Sequence, residues 1–317
     1  MKNPKDKMKK MKYPFVSIIV VNFNRKNWLK ICLNSLKTLN YPKNQYEVIV
    51  VDNGSTDGSV KFLKKNFPWV RVLSLDKNYG ASEGKNIGIK KSKGDYFYCL
   101  DSDVRVDKDC LIEMIEVVEK DKSIGVCGSK IIGFNNLIQT KGNYLNFLGT
   151  PIHRGRGIPN KYDNEIKEVF WVSTCSILIR RNILEKLKYL FDPSYFVYYE
   201  DTDFCWRVNL AGYKVVYVPK SVVWHRHKKE VTSYSIFVTY KNKIISFRKN
   251  LRTPIKQILL MGIIVRTLLA ILYWKFKGKW KYGSRVFRSL FTPINYDINL
   301  NLISLKRQIS LFSLKLT

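Results

Sequence analysis

The sequence DYFYCLDSDVRVDKD (95–109) runs an apolar stretch straight into Asp101, Ser102 and Asp103, with Asp107 and Asp109 close behind. Carboxylates crowded at the end of a buried strand repel one another and resist dehydration. A positive group is expected among them, either a basic side chain or a metal ion. An EF-hand calcium loop does not fit, because Arg105 and Val106 stand where a ligand and a glycine are needed. Two readings remain at this point. One is a solvated acidic loop. The other is a divalent cation site bridging a nucleotide diphosphate, since a hard cation takes carboxylate and phosphate oxygens together.

A second acidic cluster, Glu200, Asp201 and Asp203, follows the aromatic run FVYY. Negative charge at a helix start is favoured by the helix dipole, and Asp203 with Arg207 has the four-residue spacing of an ion pair. Capping and pairing account for Asp203. They account less well for Glu200 and Asp201, whose apolar surroundings move a carboxyl toward the pKa range useful for a base. His225 ends the run VVWH, either as a satisfied histidine or as a metal ligand. NYGASEGKNIG places its glycines at 80, 84 and 88, which is neither the G-x-G-x-x-G dinucleotide fingerprint nor a Walker loop.

The elements that must position these groups alternate. FVSIIVVNF (15–23), YEVIVVD (46–52), VRVLSL (70–75) and DYFYCL (95–100) are continuous apolar runs, as expected of strands buried on both faces. Helices are predicted after a cap at Asn27, with Trp28, Ile31, Cys32, Leu36 and Leu39 on one face, then over VKFLKKNF, 82–91, 107–120 and 201–211. Further strands are predicted near 124–132, 168–180 and 214–225, with a Gly- and Asn-rich stretch at 133–167 left unassigned. This alternation predicts an α/β fold with a mostly parallel, Rossmann-like sheet and helices on both faces. Ligands bind such sheets at the carboxyl ends of the strands. Asn22, Asn24 and Arg25 stand there, as do Asp52, Asn53, Asn78, Gly80, Asn86, Asp101, Ser102 and Asp103.

Taken in order, VNFNR, VDNGSTDGS, NYGASEGKNIG, LDSD, WVSTCSILIRR, YYEDTDFCWR and VVWH resemble the family 2 glycosyltransferases, in particular the rhamnosyltransferase-like and galactofuranosyltransferase-like group, over residues 15–230. The resemblance implies a GT-A fold with a nucleotide-binding half (15–103) and an acceptor half (104–230). It implies inverting transfer of one sugar from a nucleotide-diphosphate sugar to an acceptor hydroxyl, on a lipid-linked or other glycan. Asp52 would bond the base, supported by Asn22 and Asn24. Arg25, Asn53, Asn78, Gly80, Asn86 and Ser102 would lie along the nucleotide and donor sugar. Asp101 and Asp103 match the family's D-x-D motif, which holds Mn²⁺ or Mg²⁺ on the diphosphate. His225 matches a histidine that joins that metal in some relatives, and Asp201 matches the general base. Trp171, Thr174, Cys175 and Glu200 would face the acceptor. Relatives usually carry Gly-Ala or Gly-Gly where this chain has Ser173-Thr174-Cys175, which implies a narrower acceptor pocket or a different sugar. The Q-x-x-R-W signature of processive synthases does not occur.

Charge and hydropathy bear on partners. Lys and Arg number 56 against 25 Asp and Glu, a formal net charge of +31. The excess favours anionic partners and is concentrated at the ends: six lysines in residues 1–12, read as a disordered basic arm (1–14), and sixteen basic residues against one acid in 231–317. No nucleic-acid-binding module accompanies it. ILLMGIIVRTLLAILYW (258–274) is apolar but split by Arg266 and Thr267, with Lys249, Arg252, Lys256, Lys275, Lys277, Lys279 and Lys281 at its flanks. An interfacial segment or re-entrant hairpin on an anionic membrane is expected, with a buried helix or a single span as alternatives. The six cysteines lack C-x-x-C spacing and read as reduced core thiols. With no signal peptide apparent, the cytoplasmic face of the cell membrane is the expected location.

Overall fold

The computed structural model describes residues 13–146, 150–160, 163–187, 189–226, 232–251 and 255–291. The basic arm at 1–12 and the basic residues beyond 291 lie outside them. In chain order the elements are β1 (Val16–Asn22), α1 (Lys26–Lys37), β2 (Tyr46–Asp52), α2 (Ser59–Asn66), β3 (Arg71–Ser74), α3 (Gly80–Lys90), β4 (Tyr96–Asp101), β5 (Val104–Val106) and α4 (Cys110–Lys120). Then follow β6 (Ile124–Gly133), β7 (Ile138–Thr140), β8 (Asn143–Leu145), β9 (Pro151–His153), β10 (Lys167–Glu168), β11 (Ser176–Arg180), α5 (Glu200–Leu210) and β12 (Lys214–His225). Three helices close the described chain: α6 (Ser233–Asn250), α7 (Ile255–Phe276) and α8 (Trp280–Leu290).

The main sheet runs β10-β12-β6-β11-β4-β1-β2-β3, with β5 paired to β12 and β7 to β6. Strands β4, β1, β2 and β3 are parallel, as their unbroken apolar runs predict. The rest corrects the expectation of a mostly parallel sheet. β11 is antiparallel to both β4 and β6, while β12 is parallel to β6 and antiparallel to β5 and β10. A strand buried on both faces reads as apolar whichever way its neighbour runs, so direction was not legible there. The predicted strand 168–180 is two pieces separated by the turn at Thr174–Cys175. The unassigned 133–167 stretch holds β7, β8 and β9. Pro219 is tolerated within β12 because the pairing with β6 breaks register between Val218 and Val222.

Helices cover both faces. On one side Leu29, Cys32, Leu33 and Leu36 of α1 and Leu111, Met114 and Ile115 of α4 pack on the sheet. Each fully buried leucine of this kind contributes about 1.5–3 kcal/mol. The buried face of α1 is turned from the predicted one, leaving Ile31 38% exposed, and the helix starts earlier, after Arg25. Its first N–H, on Lys26, donates to the distant Asp57 side chain at 2.9 Å. On the other side Phe204, Trp206 and Val208 of α5 pack with Phe247 of α6 and Ile263 of α7. The helix α7 runs unbroken through Arg266 and Thr267, whose hydroxyl donates to the Ile263 carbonyl at 2.6 Å. No described helix is long and apolar enough to cross a membrane.

Candidate active site

Strand register assembles the site. Parallel pairing sets Asn22 beside Asp52, and Val21 beside Asp101. Antiparallel pairing of β5 with β12 sets His225 opposite Val104, next to Asp103. Antiparallel β11 brings Cys175 to the end of β4, where its carbonyl accepts the Asp101 N–H at 3.4 Å. Groups 120 residues apart in sequence thus share one sheet edge.

The Asn22–Asp52 corner is a tight polar cradle. The Asn22 amide donates to Asp52 Oδ2 at 2.9 Å and to Ser55 Oγ at 3.2 Å, and the Ser55 N–H donates to Asp52 Oδ1 at 2.8 Å. Asn24, at φ 51°, accepts the Thr56 N–H at 2.7 Å. Asn53 donates to the Gly80 carbonyl at 2.9 Å, and Asn78 accepts the Gly80 N–H at 2.8 Å. Gly80 is obligatory: at φ +87° a Cβ would stand 2.5 Å from the Phe196 carbonyl oxygen. Asn86 clamps the Phe191 backbone, donating to its carbonyl at 2.7 Å and accepting its N–H at 3.2 Å.

The positive groups expected beside Asp101 and Asp103 are present. Lys85 Nζ, its side chain 1% exposed, is 3.0 Å from Asp101 Oδ1, and Arg25 bonds Asp103. Burial would raise the Asp101 pKa, but Lys85, then His225 and Arg25, hold it below its ordinary value. Lys85 is a candidate site residue that the sequence reading passed over. Its one signal was a lysine between two helix glycines, Gly84 and Gly88, facing an acidic strand end.

Asp101, Asp103 and His225 each offer one ligand atom, all within 4.8 Å of one another. The histidine's Nδ1 meets Gln139 Oε1 at 2.9 Å, while the Gln139 amide donates to the His225 carbonyl at 2.8 Å. That bond places the proton on Nδ1 and turns Nε2 toward Asp103 Oδ1, 3.6 Å away. Burial lowers the His225 pKa against the opposing charge of Asp101, which favours the neutral, ligating ring. Two carboxylates and a neutral imidazole suit Mn²⁺ or Mg²⁺. A cavity of about 450 Å³ opens beside His225, lined by Trp28, Phe134, Gln139, Arg156 and Arg226.

Glu200 and Asp201 open α5, near enough to Lys85 for its charge to act on both. Thr174 donates to Glu200 Oε1 at 3.1 Å, whereas Glu200 Oε2 is buried without a hydrogen bond among the described residues. Burial raises its pKa, with Lys85 opposing. Asp201 is half-buried and accepts the Thr202 N–H at 2.7 Å. Burial, then the charge of Glu200, raise its pKa to about 8. Trp171 is buried against His153, at 5.6 Å between ring centroids. Cys175 presents its backbone to the site, while its thiol lies in the sheet core. Asp203 faces away, bonded by Arg207 at 2.9 Å, Lys249 at 3.1 Å and Asn250 at 2.9 Å. Burial would raise it, but Lys249 and Arg207 hold it at about 2.

The turn carrying this pair is strained and held from α6. Phe196, at φ 56° and ψ −56°, sits at the centre of a γ-turn closed by the Val197 N–H on the Tyr195 carbonyl, and Tyr198 and Tyr199 also have positive φ, 65° and 69°. Such conformations cost about 1–3 kcal/mol each. One buried amide, that of Asn242, donates to the carbonyls of Tyr195, Val197 and Tyr198 at 3.1, 2.9 and 2.7 Å.

The glycosyl transferase family 2 profile matches residues 17–188, more than half of the chain. The chain belongs to that family. It is 27% identical to poly-beta-1,6-N-acetyl-D-glucosamine synthase of Staphylococcus epidermidis over 220 residues, 66% of this chain and 49% of the synthase. It therefore spans about half the length of that relative. Glycosyltransferase AglE of Haloferax volcanii is 26% identical over 216 residues, 67% of each chain. Among solved structures, S. aureus TarS in complex with UDP-GlcNAc superposes with TM-score 0.63 at 19% identity, covering 87% of this chain and 79% of that one. The mannosyltransferase PcManGT of Pyrobaculum calidifontis, in complex with GDP-Man and Mn²⁺, gives 0.55 at 15% identity, covering 91% and 81%. These structures establish that this family 2 chain shares their fold.

Proposed function

We propose that this family 2 enzyme moves one sugar, with inversion, from a nucleoside-diphosphate sugar to a hydroxyl of a glycan or lipid-linked glycan. The observation that carries this reading is a single sheet edge uniting a nucleoside cradle (Asn22, Asp52, Ser55), a ligand trio (Asp101, Asp103, His225) and a carboxyl with a raised pKa (Asp201). Asp101, Asp103 and His225 would hold Mn²⁺ or Mg²⁺, which supplies Lewis-acid stabilisation of the leaving diphosphate. Lys85 and Arg25 add fixed positive charge where the phosphates leave. Asp201 takes the proton of the acceptor hydroxyl as its oxygen bonds to C1. The C1–phosphate bond breaks with its electron pair on the nucleoside diphosphate, and no covalent enzyme intermediate forms. The unpaired Glu200 Oε2 is suited to receive a sugar hydroxyl.

The donor is identified by thermal-shift titration against UDP-GlcNAc, GDP-mannose and dTDP-rhamnose, with and without Mn²⁺, followed by transfer assays. One of these stabilises the protein more with Mn²⁺ than without. A flat response to the whole panel would remove the transferase reading. The resemblance leaves uridine, thymidine and guanosine diphosphate sugars all open, and the panel holds one of each.

The outer face of α7 supports a membrane-surface location. Met261, Leu269 and Phe276 are 62%, 60% and 88% exposed, and exposed Lys275, Lys277, Lys279 and Lys281 adjoin them. Such an apolar stripe edged with lysines matches an anionic bilayer, lying in its plane at the cytoplasmic leaflet. The protein should co-sediment with phosphatidylglycerol vesicles at low salt and be released by salt or by Leu269→Glu/Phe276→Glu. Equal partition of that double variant with the vesicles would refute the docking face.

A further inference from the structure

The cavity of about 450 Å³ beside His225 takes no part in the chemistry above. The guanidiniums of Arg156 and Arg226 line it, together with the rings of Trp28 and Phe134 and the amide of Asn135, and no carboxylate does. Its charge is opposite to that of the ligand trio, although His225 belongs to both. Strand register and one helix build the wall. β5 sets Arg105 opposite Trp224, and β6 sets Gly133 opposite His225, so Phe134 follows at the tip of the β6–β7 hairpin. Trp28 comes from the first turn of α1. These side chains form a ladder of rings and cations. The Arg226 guanidinium lies over the Trp28 ring, 4.7 Å from its centroid, and Trp28 meets Phe134 edge-on at 5.4 Å. Arg105 lies over both Phe134 and Trp224, at 5.9 and 4.1 Å.

Other arginines near the site are bonded to carboxylates: Arg25 to Asp103 and Arg207 to Asp203. Arg105, Arg156 and Arg226 are exposed and make no ion pair among the described residues. A guanidinium steadied on a ring keeps its planar fork in one orientation, which suits the paired oxygens of a carboxylate or phosphate. Phe134 is 47% exposed, and the negative face of an aromatic ring attracts the C–H side of a sugar. The Asn135 oxygen accepts the Leu137 N–H at 3.2 Å, which turns its NH₂ group to the service of a hydroxyl. Arg105 and Trp224 also line a second hollow, of about 570 Å³, on the flank of α1 with exposed Ile31 and a single acid, Asp107, beside Lys108. Together the hollows have room for more than one sugar ring. Anion, apolar ring face and hydroxyl are the three chemical features of an acidic sugar.

We propose that the cavity between Trp28, Phe134, Arg156 and Arg226 binds an acidic sugar unit within the glycan chain of the acceptor, with its anionic group on the two guanidiniums. Neither Glu200 nor Asp201 lines the cavity, so the unit it holds is not the one that carries the reacting hydroxyl. This inference rests on the transferase reading and adds the charge of the acceptor chain and a subsite for it. A uronate and a phosphorylated sugar present the same chemistry.

The test titrates full-length protein calorimetrically with tetragalacturonate and with neutral maltotetraose, at physiological salt and in excess EDTA so that no divalent ion bridges the sugar to the trio. Tetragalacturonate is expected to bind at least about tenfold more tightly, the effect of one charge-assisted contact. The double variant Arg156→Gln/Arg226→Gln should lose that advantage. Trp28→Ala keeps every charge and should weaken both tetrasaccharides by about threefold or more, the loss of a ring face. Lys275→Gln/Lys277→Gln should bind as wild type does, which separates the cavity from general attraction to a chain of net charge +31. Unchanged nucleotide-sugar affinity shows that the cavity variants are folded. Equal binding of the two tetrasaccharides, none by either, or wild-type binding of tetragalacturonate by the arginine double variant would overturn the proposal and leave the transferase reading standing. Absence of nucleotide-sugar binding by wild type would overturn the transferase reading on its own. Competition distinguishes the anions: displacement of tetragalacturonate by glucose 6-phosphate at lower concentration than by glucuronate assigns the site to a phosphorylated sugar, and the reverse order assigns it to a uronate.

Discussion

Asp201→Asn is expected to lower transfer by about 10²–10⁴-fold or more and to leave nucleotide-sugar affinity within about twofold, because a positioned base contributes that much and makes no call on donor binding. The amide is nearly isosteric and keeps the bond from the Thr202 N–H, at 2.7 Å in the native chain. What it loses is the ability to accept a proton. The native enzyme should also carry the signature of this base in its pH profile. The base works deprotonated, so kcat/KM falls as pH falls through its pKa. Burial and Glu200 raise that pKa to about 8, so the acidic limb should lie near neutrality instead of near pH 4. Near-native transfer by Asp201→Asn would eliminate Asp201 from the role.

Excess chelator should abolish transfer, and Asp103→Ala should reduce it by at least about 10²-fold even in saturating Mn²⁺, a loss comparable with removing one group that stabilises transition-state charge. The argument is geometric. Asp103 is 4% exposed and supplies an oxygen to a trio spanning 4.8 Å. Alanine takes that oxygen away and leaves Arg25 and His225 facing a gap. Thermal shift separates chemistry from folding: the nucleotide alone should still stabilise Asp103→Ala, since the Asn22–Asp52 cradle is untouched, while the increment from Mn²⁺ disappears. Full transfer in chelator would show that Lys85 and Arg25 suffice for the leaving group.

The parallel half of the sheet was legible because β1, β2 and β4 carry their candidate site residues where the apolar run stops, a purely local signal. Asp101, Asp103 and His225 could be named as separate candidates, and the fold brings them together. The antiparallel return of β11 was not legible, since nothing in SILIR encodes which neighbour it meets or in which direction. Lys85 escaped notice because a lysine on a helix is by default a solvated one. Only the close packing of Gly88 on Ile19, where a Cβ would meet Ile19 Cγ2 at 2.5 Å, presses α3 near enough to bury it. The hold of Asn242 on the turn spans more than forty residues and leaves no periodic trace.

The grip of α6 on the γ-turn bears on when the enzyme becomes competent. A nascent chain that has emerged only through His225 already exposes the cradle, the ligand trio and Asp201. Asp201, the proposed base, would then follow a turn that keeps the Ala81 N–H on the Phe196 carbonyl but lacks its three bonds from Asn242. On the proposed reading, competence would arrive last, once Asn242 has cleared the ribosome and docked. A polypeptide that is incomplete, or clipped ahead of α6, would bind costly activated sugar without spending it.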